Sequence, residues 1–260
     1  MTTLLSASNV SRAFGGVQAL NGCSLEVRRG SITGLIGPNG SGKTTLFNVM
    51  TGYVKPDAGS VTFEGQNITG ARPNKVFELG VGRTFQLTRI FARMTVLENM
   101  LVATQREESW LRGLTRSKSS PRELEAAMEW LNFVGLAHLA KLEAGSLSYG
   151  QRKLLELAYV LVANPDVILL DEPAGGVNLT LINVIAEKIQ ALNEQGKTFL
   201  VVEHNMEFVM KICHQVTVMH QGTDLVTGTP GEVRTNPAVL DAYLGGGDET
   251  DEELEELANG

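Results

Sequence analysis

One glycine-rich segment constrains this sequence most, and it reads Gly37-Pro38-Asn39-Gly40-Ser41-Gly42-Lys43-Thr44. It matches the phosphate-loop pattern G-x-x-x-x-G-K-[ST] at every fixed position. The apolar run Ile32–Ile36 before it predicts a buried strand, and residues 45–50 after it predict a helix. In that order, a strand, a loop and a helix turn backbone N–H groups toward phosphate oxygens, and the helix N-terminus adds partial positive charge. The sequence therefore predicts a phosphate-binding site on an α/β fold.

Two side chains at the end of this loop carry more specific chemistry. We expect the Lys43 ammonium to reach the β- and γ-phosphates of a nucleotide, and the Thr44 hydroxyl to coordinate Mg²⁺. The predicted nucleotide-binding residues of the segment are Gly37, Asn39, Gly40, Ser41, Gly42, Lys43, Thr44 and Thr45. The alternative is a glycine-rich turn that binds nothing, and the agreement of motif with context argues against it.

A second constraint is the apolar run Val167–Leu170, which ends in the carboxylates Asp171 and Glu172. The run is too short for a typical helix and predicts a fully buried parallel strand. Carboxylates at the C-terminal end of such a strand lie where open α/β sheets bind ligands. We therefore predict that Asp171 holds Mg²⁺, directly or through water, and that Glu172 polarises the water that attacks the γ-phosphate. Without the phosphate loop, a solvated acidic turn would be preferred.

A third segment, Leu147-Ser148-Tyr149-Gly150-Gln151, precedes a helix whose apolar residues recur from position 154 to position 161. Ser148 stands at the N-cap position, and a serine cap on a free helix N-terminus is a second anion site. With these three segments, the chain resembles the ATP-binding cassette ATPases over roughly residues 4–245. The third segment is similar to that family's LSGGQ signature, with Tyr149 in place of the first glycine of the pair.

The resemblance implies a P-loop fold in which the nucleotide site is shared between two subunits. Ser148 and Gly150 would bind the γ-phosphate held by the phosphate loop of a second subunit, and Gln151 completes the nucleotide-contacting set of this segment. Two subunits would then sandwich two ATP molecules. An ordinary capped helix is the alternative that the residues alone leave open.

Three further residues match positions of the family. The resemblance implies that Phe14 stacks on adenine, that Gln86 contacts Mg²⁺ or water, and that His204 contacts the γ-phosphate. From the residues alone, Phe14 could equally be a core side chain at a strand end. Asn178 replaces the aspartate that is common in the family's D-loop. The segment of Leu87, Ile90, Phe91 and Met94 would form a docking groove for a membrane partner, or else belong to the core of its own lobe.

Finer features narrow the resemblance within the family. The variants at Tyr149 and Asn178, the block of residues 81–86 and the stretch 228–245 are together similar to the larger ATP-binding subunit of branched-chain amino acid importers. Urea or amide importers and the lipopolysaccharide-export ATPase share several of these features. The resemblance implies a peripheral ATPase at the cytoplasmic face of the cell membrane. Its partners would be a second ATPase subunit, identical or not, permease subunits and, indirectly, a solute-binding protein.

Composition is consistent with that interpretation and excludes some others. The net charge of −7 argues against a dedicated nucleic-acid binder. We see no apolar run long enough to cross a membrane and no signal peptide, so transport would require separate membrane subunits. The two cysteines, Cys23 and Cys213, suit a reducing compartment and are predicted to be inert core residues rather than metal ligands.

Three rival functions of the same family are less compatible with the sequence. A cassette ATPase of translation normally carries two cassettes in one chain, and this chain has one. A DNA-repair ATPase has a long heptad-rich insertion between the two nucleotide motifs, and the stretch between Lys43 and Asp171 has no sustained heptads. A regulator that binds ATP without hydrolysing it would lack a general base after Asp171, and this chain has Glu172 there.

The motifs predict how the chain is organised. The first part of a nucleotide-binding core spans residues 1–87, with a mostly parallel sheet and an antiparallel β edge. An inserted helical subdomain follows at 88–163, with helices over 94–101 and 123–133 and a polar loop over 106–121. The core resumes over 164–247. Residues 248–260 hold seven acidic residues and no basic one, which predicts a disordered tail.

Overall fold

The structure is a computed structural model, and it describes residues 2–84, 90–104 and 120–244. The chain divides into two compact units. One comprises the described residues up to Arg83 and those from Asp166 onward, and the other runs from Thr84 to Pro165. The division predicted from the sequence, with junctions after residues 87 and 163, differs from this one by a few residues at each junction. The predicted acidic tail at 248–260 lies outside the described residues.

The first unit contains an antiparallel sheet, which forms the predicted β edge. Its strands are β1 (Thr3–Phe14), β2 (Val17–Arg28), β4 (Ala58–Phe63) and β5 (Gln66–Asn67), in the order β2-β1-β4-β5. In the second half of β2, buried apolar side chains such as Leu25 and Val27 alternate with more exposed polar ones, as expected when one face of a strand is buried, whereas residues 4–7 of β1 are all buried. The buried face forms one hydrophobic cluster with the second sheet and the helix after the phosphate loop.

The second sheet of this unit is mostly parallel. Its strands are β3 (Ile32–Ile36), β6 (Val81–Arg83), β7 (Val167–Asp171), β8 (Thr198–Val202), β9 (Gln215–His220) and β10 (Thr223–Gly228). They lie in the order β10-β9-β3-β8-β7-β6, and the pairing of β10 with β9 is antiparallel. Every residue of β3, β7 and β8 is buried, which explains why these strands are continuous apolar runs rather than alternating ones. The predicted fold class is confirmed.

The helices of the first unit cover its sheets. They are α1 (Lys43–Met50), α2 (Pro73–Glu78), α6 (Leu179–Glu194), α7 (Met206–Ile212), α8 (Pro230–Arg234) and α9 (Pro237–Leu244). Asn178 is the N-cap of α6, and its side chain accepts a hydrogen bond from the Leu181 N–H at 3.0 Å. Asparagine at this D-loop position therefore has a structural role in starting the helix.

The second unit is helical where the structure describes it. Its helices are α3 (Val96–Thr104), α4 (Pro121–Phe133) and α5 (Tyr149–Val162). The prediction of a loop extending to residue 121 is wrong at its end, because Pro121 is the first residue of α4. Ser120 caps that helix in a capping box with Glu123, and proline is favourable at the first helical position because its missing N–H would have no partner there. Residues 106–119 of the predicted loop lie outside the described residues.

Both cysteines are buried and free, as the sequence predicts. Burial, reinforced by Asp224, raises the pKa of the Cys23 thiol to about 12. Burial and the charge of Glu203 raise the pKa of Cys213 to about 12 as well. Neither thiol is therefore a reactive thiolate at neutral pH. Among the helices of the described residues, none is long and apolar enough to cross a bilayer.

Candidate active site

Three neighbouring strands of the parallel sheet lead to predicted site residues, which all lie at the same edge of the sheet. In β3, Leu35 is paired with Val202 of β8, and Asp171 of β7 is also paired with Val202. The phosphate loop follows β3, Glu172 follows β7, and His204 lies two residues beyond β8. Because parallel strands end at the same edge, the loop, the two carboxylates and the histidine all start from adjacent positions.

The phosphate loop is fixed between two neighbouring segments of backbone. A Cβ at Gly37 would collide with the carbonyl oxygen of Met219, and a Cβ at Gly42 would lie 2.5 Å from the carbonyl oxygen of Ala19. The two glycines also have φ angles of 144° and 103°, which L side chains rarely adopt. Glycine is therefore required at both positions for packing reasons as well as for phosphate binding.

The N-terminus of α1 presents its first backbone donors without a side-chain cap. Gly42 is the N-cap residue and has no side chain to offer, so no side chain of a described residue accepts a capping bond there. The helix N-terminus carries partial positive charge and unsatisfied N–H groups, which makes it suited to an anion. The Lys43 ammonium lies over the start of the loop, where it donates to the carbonyl oxygens of Gly37 at 2.5 Å and Pro38 at 2.9 Å.

The two carboxylates after β7 have different surroundings. Asp171 is buried, and its Oδ2 lies 3.6 Å from Nη2 of Arg83. Glu172 is half-buried, with a φ of 49° that is uncommon for a residue with a side chain. Its N–H donates to the Val202 carbonyl at 2.9 Å, so the β7–β8 ladder holds this turn in place. The structure thus separates a buried, paired carboxylate from a partly solvated one that can reach water.

The segment after β8 is organised by a carboxylate that the sequence analysis did not single out. Glu203 is completely buried, and it accepts N–H groups from Ala174 at 2.6 Å, His204 at 3.2 Å and Asn205 at 3.3 Å. Burial raises the pKa of Glu203, and the N–H donors oppose that shift. One side chain thereby connects the D-loop to the turn that carries the exposed His204. Its sequence signal is an acidic residue directly after the buried run Thr198–Val202.

The oxygen donors at this edge fit Mg²⁺. Magnesium in nucleotide sites keeps several waters and is held by one or two protein oxygens together with the substrate's phosphates. The exposed hydroxyl of Thr44 and the carboxylate of Asp171 are donors of that kind. Gln86, the third predicted contact, lies outside the described residues.

Phe14 is an exposed aromatic ring at the end of β1, so its alternative interpretation as a core side chain is wrong. The side chain is 44% exposed, and the Arg12 guanidinium lies 4.7 Å from the ring centroid. Asp57 holds that arginine in a 2.6 Å ion pair and accepts the Ala13 N–H at 2.8 Å. The Ala13 N–H, followed by Arg12, lowers the pKa of the Asp57 carboxyl. A supported ring with a free face can stack on a nucleotide base.

We expect Phe14→Ala to weaken ATP binding by about tenfold, since stacking of a base on an aromatic ring is worth ~1–3 kcal/mol. Phe14→Tyr should stay within about twofold of the wild-type chain because the ring is kept. Binding of ATP and of inorganic triphosphate is measured by calorimetry. Phe77→Ala, which removes another exposed ring of the same unit, is the control. Equal loss for ATP and triphosphate would contradict stacking on the base.

In the second unit, Ser148 is the N-cap of α5, as predicted. Its Oγ accepts the Gln151 N–H at 3.2 Å, and the Gln151 Oε1 accepts the Ser148 N–H at 2.9 Å. Ser148 and Tyr149 are exposed, whereas Gly150 is buried. The Tyr149 ring lies under the Lys153 ammonium at 5.5 Å from its centroid. The cap uses two backbone donors of the exposed N-terminus of α5, and the partial positive charge of the helix end and the nearby Lys153 ammonium are the features suited to an incoming anion.

The described residues of the predicted docking segment differ in their exposure. Phe91 is 49% exposed, and Ile90 and Met94 are half-buried, while Leu87 lies outside the described residues. The segment is held by the buried Asn99, whose Oδ1 accepts the Phe91 N–H at 2.8 Å. The lobe-core alternative is therefore wrong for Phe91, and the burial of Ile90 and Met94 is compatible with either interpretation.

Comparisons with known proteins extend over almost the whole chain. The family model of ABC transporters matches residues 20–175, and the model of the branched-chain amino acid ATP-binding cassette transporter matches residues 225–249. LivG of Salmonella typhimurium, a high-affinity branched-chain amino acid transport ATP-binding protein, is 41% identical over 93% of this chain and 98% of its own. BraF of Pseudomonas aeruginosa, described in the same words, is 40% identical with the same coverage.

A solved structure gives the same correspondence in three dimensions. An ATP-binding cassette of an ABC transporter, crystallised in its ADP conformation, superimposes with a TM-score of 0.85 at 37% identity. The match covers 94% of this chain and 100% of the other. The similarity thus includes both compact units and is not confined to the phosphate loop.

Proposed function

This chain belongs to the ATP-binding cassette family of transporter ATPases, and we propose that it is the ATP-hydrolysing motor of a branched-chain amino acid importer. The observation that carries the substrate class is the match of residues 225–249 to the branched-chain family model. It lies outside the nucleotide motifs that all members of the family need. The 41% identity with LivG over nearly the full length of both chains supports the same class.

In the proposed cycle, the phosphates of the substrate ATP bind the N-terminus of α1. The loop N–H groups and Lys43 neutralise the phosphate charge, and Phe14 stacks on the adenine. Bound Mg²⁺, held by Thr44 and Asp171, would withdraw charge from the β- and γ-phosphates. Glu172 accepts a proton from the attacking water, since it is the partly solvated carboxylate of the pair. His204 then contacts the γ-phosphate from the end of β8.

The site is completed by a second ATPase subunit. Ser148, Gly150 and Gln151 belong to the capped N-terminus of α5, where Ser148 is exposed, and this helix end would bind the γ-phosphate held by the partner's phosphate loop. Binding of ATP would therefore draw two subunits together, and hydrolysis would release them. We also propose that Gln86, three residues after Arg83 in the sequence, contacts the metal or its water.

Transport also requires partners that this chain does not supply. We propose permease subunits that cross the membrane, a solute-binding protein that delivers the amino acid, and a second ATPase subunit, which is either a related chain or a second copy of this one. The exposed Phe91 and its neighbours would contact a cytoplasmic loop of the permease. These partners place the chain at the cytoplasmic face of the cell membrane, and no nucleic acid is expected among its ligands.

Uptake of radiolabelled leucine tests the substrate class directly. The chain is reconstituted in proteoliposomes with its second ATPase and permeases, and with the solute-binding protein outside. Leucine accumulation is expected with internal ATP, and background uptake with internal ADP. Urea should not accumulate in the same vesicles. Uptake of urea instead of leucine would contradict the proposed substrate, and export of a lipid would contradict import.

A further inference from the structure

We infer that Arg83 is a positioning residue of the metal-nucleotide site. Its side chain fixes the position of the phosphate-loop helix relative to the carboxylate of Asp171. The inference rests on the proposed function, in which Asp171 and Thr44 hold Mg²⁺. Arg83 is the last residue of β6, and it ends the first of the two stretches of chain that form the first compact unit. Its side chain is only 10% exposed, although it belongs to a residue type that is almost never buried unless it is paired.

The first part of the argument is the buried ion pair. Nη2 of Arg83 lies 3.6 Å from Oδ2 of Asp171, whose side chain is 5% exposed. Two of the exposed ion pairs of the same unit, Arg12–Asp57 and Arg29–Glu64, offer a comparison. An exposed pair contributes little because water screens it. A buried pair restricts both partners, since either charge left alone in the interior would be costly.

The second part is the attachment of the same guanidinium to α1. Nη1 of Arg83 donates to Oδ1 of Asn48 at 2.9 Å and to Oγ1 of Thr51 at 2.8 Å. The Thr51 hydroxyl in turn donates to the Phe47 carbonyl at 2.7 Å. These contacts lie at the C-terminal end of the helix whose N-terminus carries Lys43 and Thr44. Arg83 therefore connects the far end of the phosphate-loop helix to the strand that carries Asp171.

The third part is the aromatic clamp around the guanidinium. Its central carbon lies 4.5 Å from the Phe47 ring centroid and 4.7 Å from the Tyr53 ring centroid. A planar guanidinium can stack on rings while its edge donates hydrogen bonds. A lysine ammonium has no plane that can stack, so it does not reproduce this combination of ring contacts and edge hydrogen bonds. The surroundings are consequently specific for arginine rather than for a positive charge.

Together these contacts connect two donors of the metal site through one side chain. Thr44 is set by α1 and Asp171 by β7, and Arg83 contacts both elements while its own strand is paired with β7. A change at Arg83 would let Asp171 and α1 shift against each other without removing any phosphate donor. Residues that contact a metal ligand orient that ligand for the metal. The expected defect is therefore in the Mg²⁺-dependent part of nucleotide binding.

The test compares Arg83→Lys and Arg83→Met with Arg29→Met, which breaks an exposed pair of the same unit. Binding of a fluorescent ATP analogue to the full chain is measured in EDTA and during a Mg²⁺ titration. For both Arg83 variants, affinity in EDTA should stay within about twofold of wild type. The Mg²⁺ concentration that gives half of the Mg²⁺-dependent change in binding (the Mg²⁺ half-effect) should rise by about tenfold or more. A change of this size is typical when a residue that contacts and orients a metal ligand is replaced. Arg29→Met should change neither quantity.

Thermal unfolding is followed in parallel to separate positioning from stability. A lower melting temperature with an unchanged Mg²⁺ half-effect would overturn the inference and leave Arg83 a purely structural residue. An equal loss of affinity in EDTA would overturn it too. If both Arg83 variants fail to fold, Thr51→Val decides the matter, because it removes one anchor of the guanidinium. A severalfold shift in the Mg²⁺ half-effect supports the inference, and no shift contradicts it.

The test is independent of transport. It uses only ATP and Mg²⁺, so a failure of leucine uptake would leave the Arg83 result standing. Conversely, ATP binding by the wild-type chain that does not respond to Mg²⁺ would contradict the proposed metal site itself, and with it this inference.

Discussion

Replacing Glu172 by glutamine is expected to lower steady-state ATP hydrolysis by about 10²-fold or more, which is within the range of general-base contributions. The amide has nearly the same shape as the carboxylate but cannot accept a proton from water. ATP affinity should be preserved, because the phosphate loop and Lys43 are unchanged. The ATP-bound assembly should accumulate, since it is formed at the normal rate and is not consumed.

Two measurements check this expectation. Phosphate release gives the turnover, and sedimentation with and without ATP gives the state of association of the variant. Glu207→Gln, which changes an exposed carboxylate in the first turn of α7, is the matched control and should hydrolyse ATP normally. Hydrolysis by Glu172→Gln at a near-normal rate would show that another group activates the water.

The second large effect is expected to separate two residues that bind the same phosphate from different subunits. Lys43→Ala should abolish ATP binding by the isolated chain, because it removes the ammonium beside the phosphate loop. Ser148→Arg should leave that binding unchanged but stop turnover. The added side chain would fill the exposed N-terminus of α5, and no phosphate of another subunit could then approach it.

A matched control for Ser148→Arg exists in the same unit. Ser120 caps α4 with the same reciprocal capping box, so Ser120→Arg imposes a similar loss of a cap, worth roughly 1 kcal/mol, at another helix. That variant should keep its ATPase activity. If Ser148→Arg weakened ATP binding by the single chain as much as Lys43→Ala does, the site would not be shared between subunits.

Much of the fold follows from local patterns. The strands β3, β7 and β8 are short apolar runs because both faces of the parallel sheet are covered there, and such a run is visible without any tertiary information. The cap at Ser148 is equally local, because the serine and Gln151 are three residues apart. The order of these elements also predicts which edge of the sheet carries the site.

The contacts that hold the site together are of a different kind. Arg83 meets Asp171 and α1 only after strands distant in the sequence have paired, and no local pattern indicates its partners. Glu203 likewise has its donors in the D-loop and in its own turn. The one sequence signal that Arg83 and Glu203 share is a charged residue placed directly after apolar residues of a strand. The loop predicted over 106–121 overlaps the start of α4, because proline is common both in loops and at the first position of a helix.

Mixing the two inactive variants tests the shared site most directly. In a dimer of one Lys43→Ala chain and one Ser148→Arg chain, one site carries both defects and the other carries neither. Differently tagged chains are mixed, the mixed dimer is verified by pull-down in the presence of ATP, and phosphate release is measured. Random pairing with two independent sites predicts recovery of about a quarter of the wild-type activity. Mixed dimers that form but remain as inactive as either variant alone would contradict a site built from two subunits.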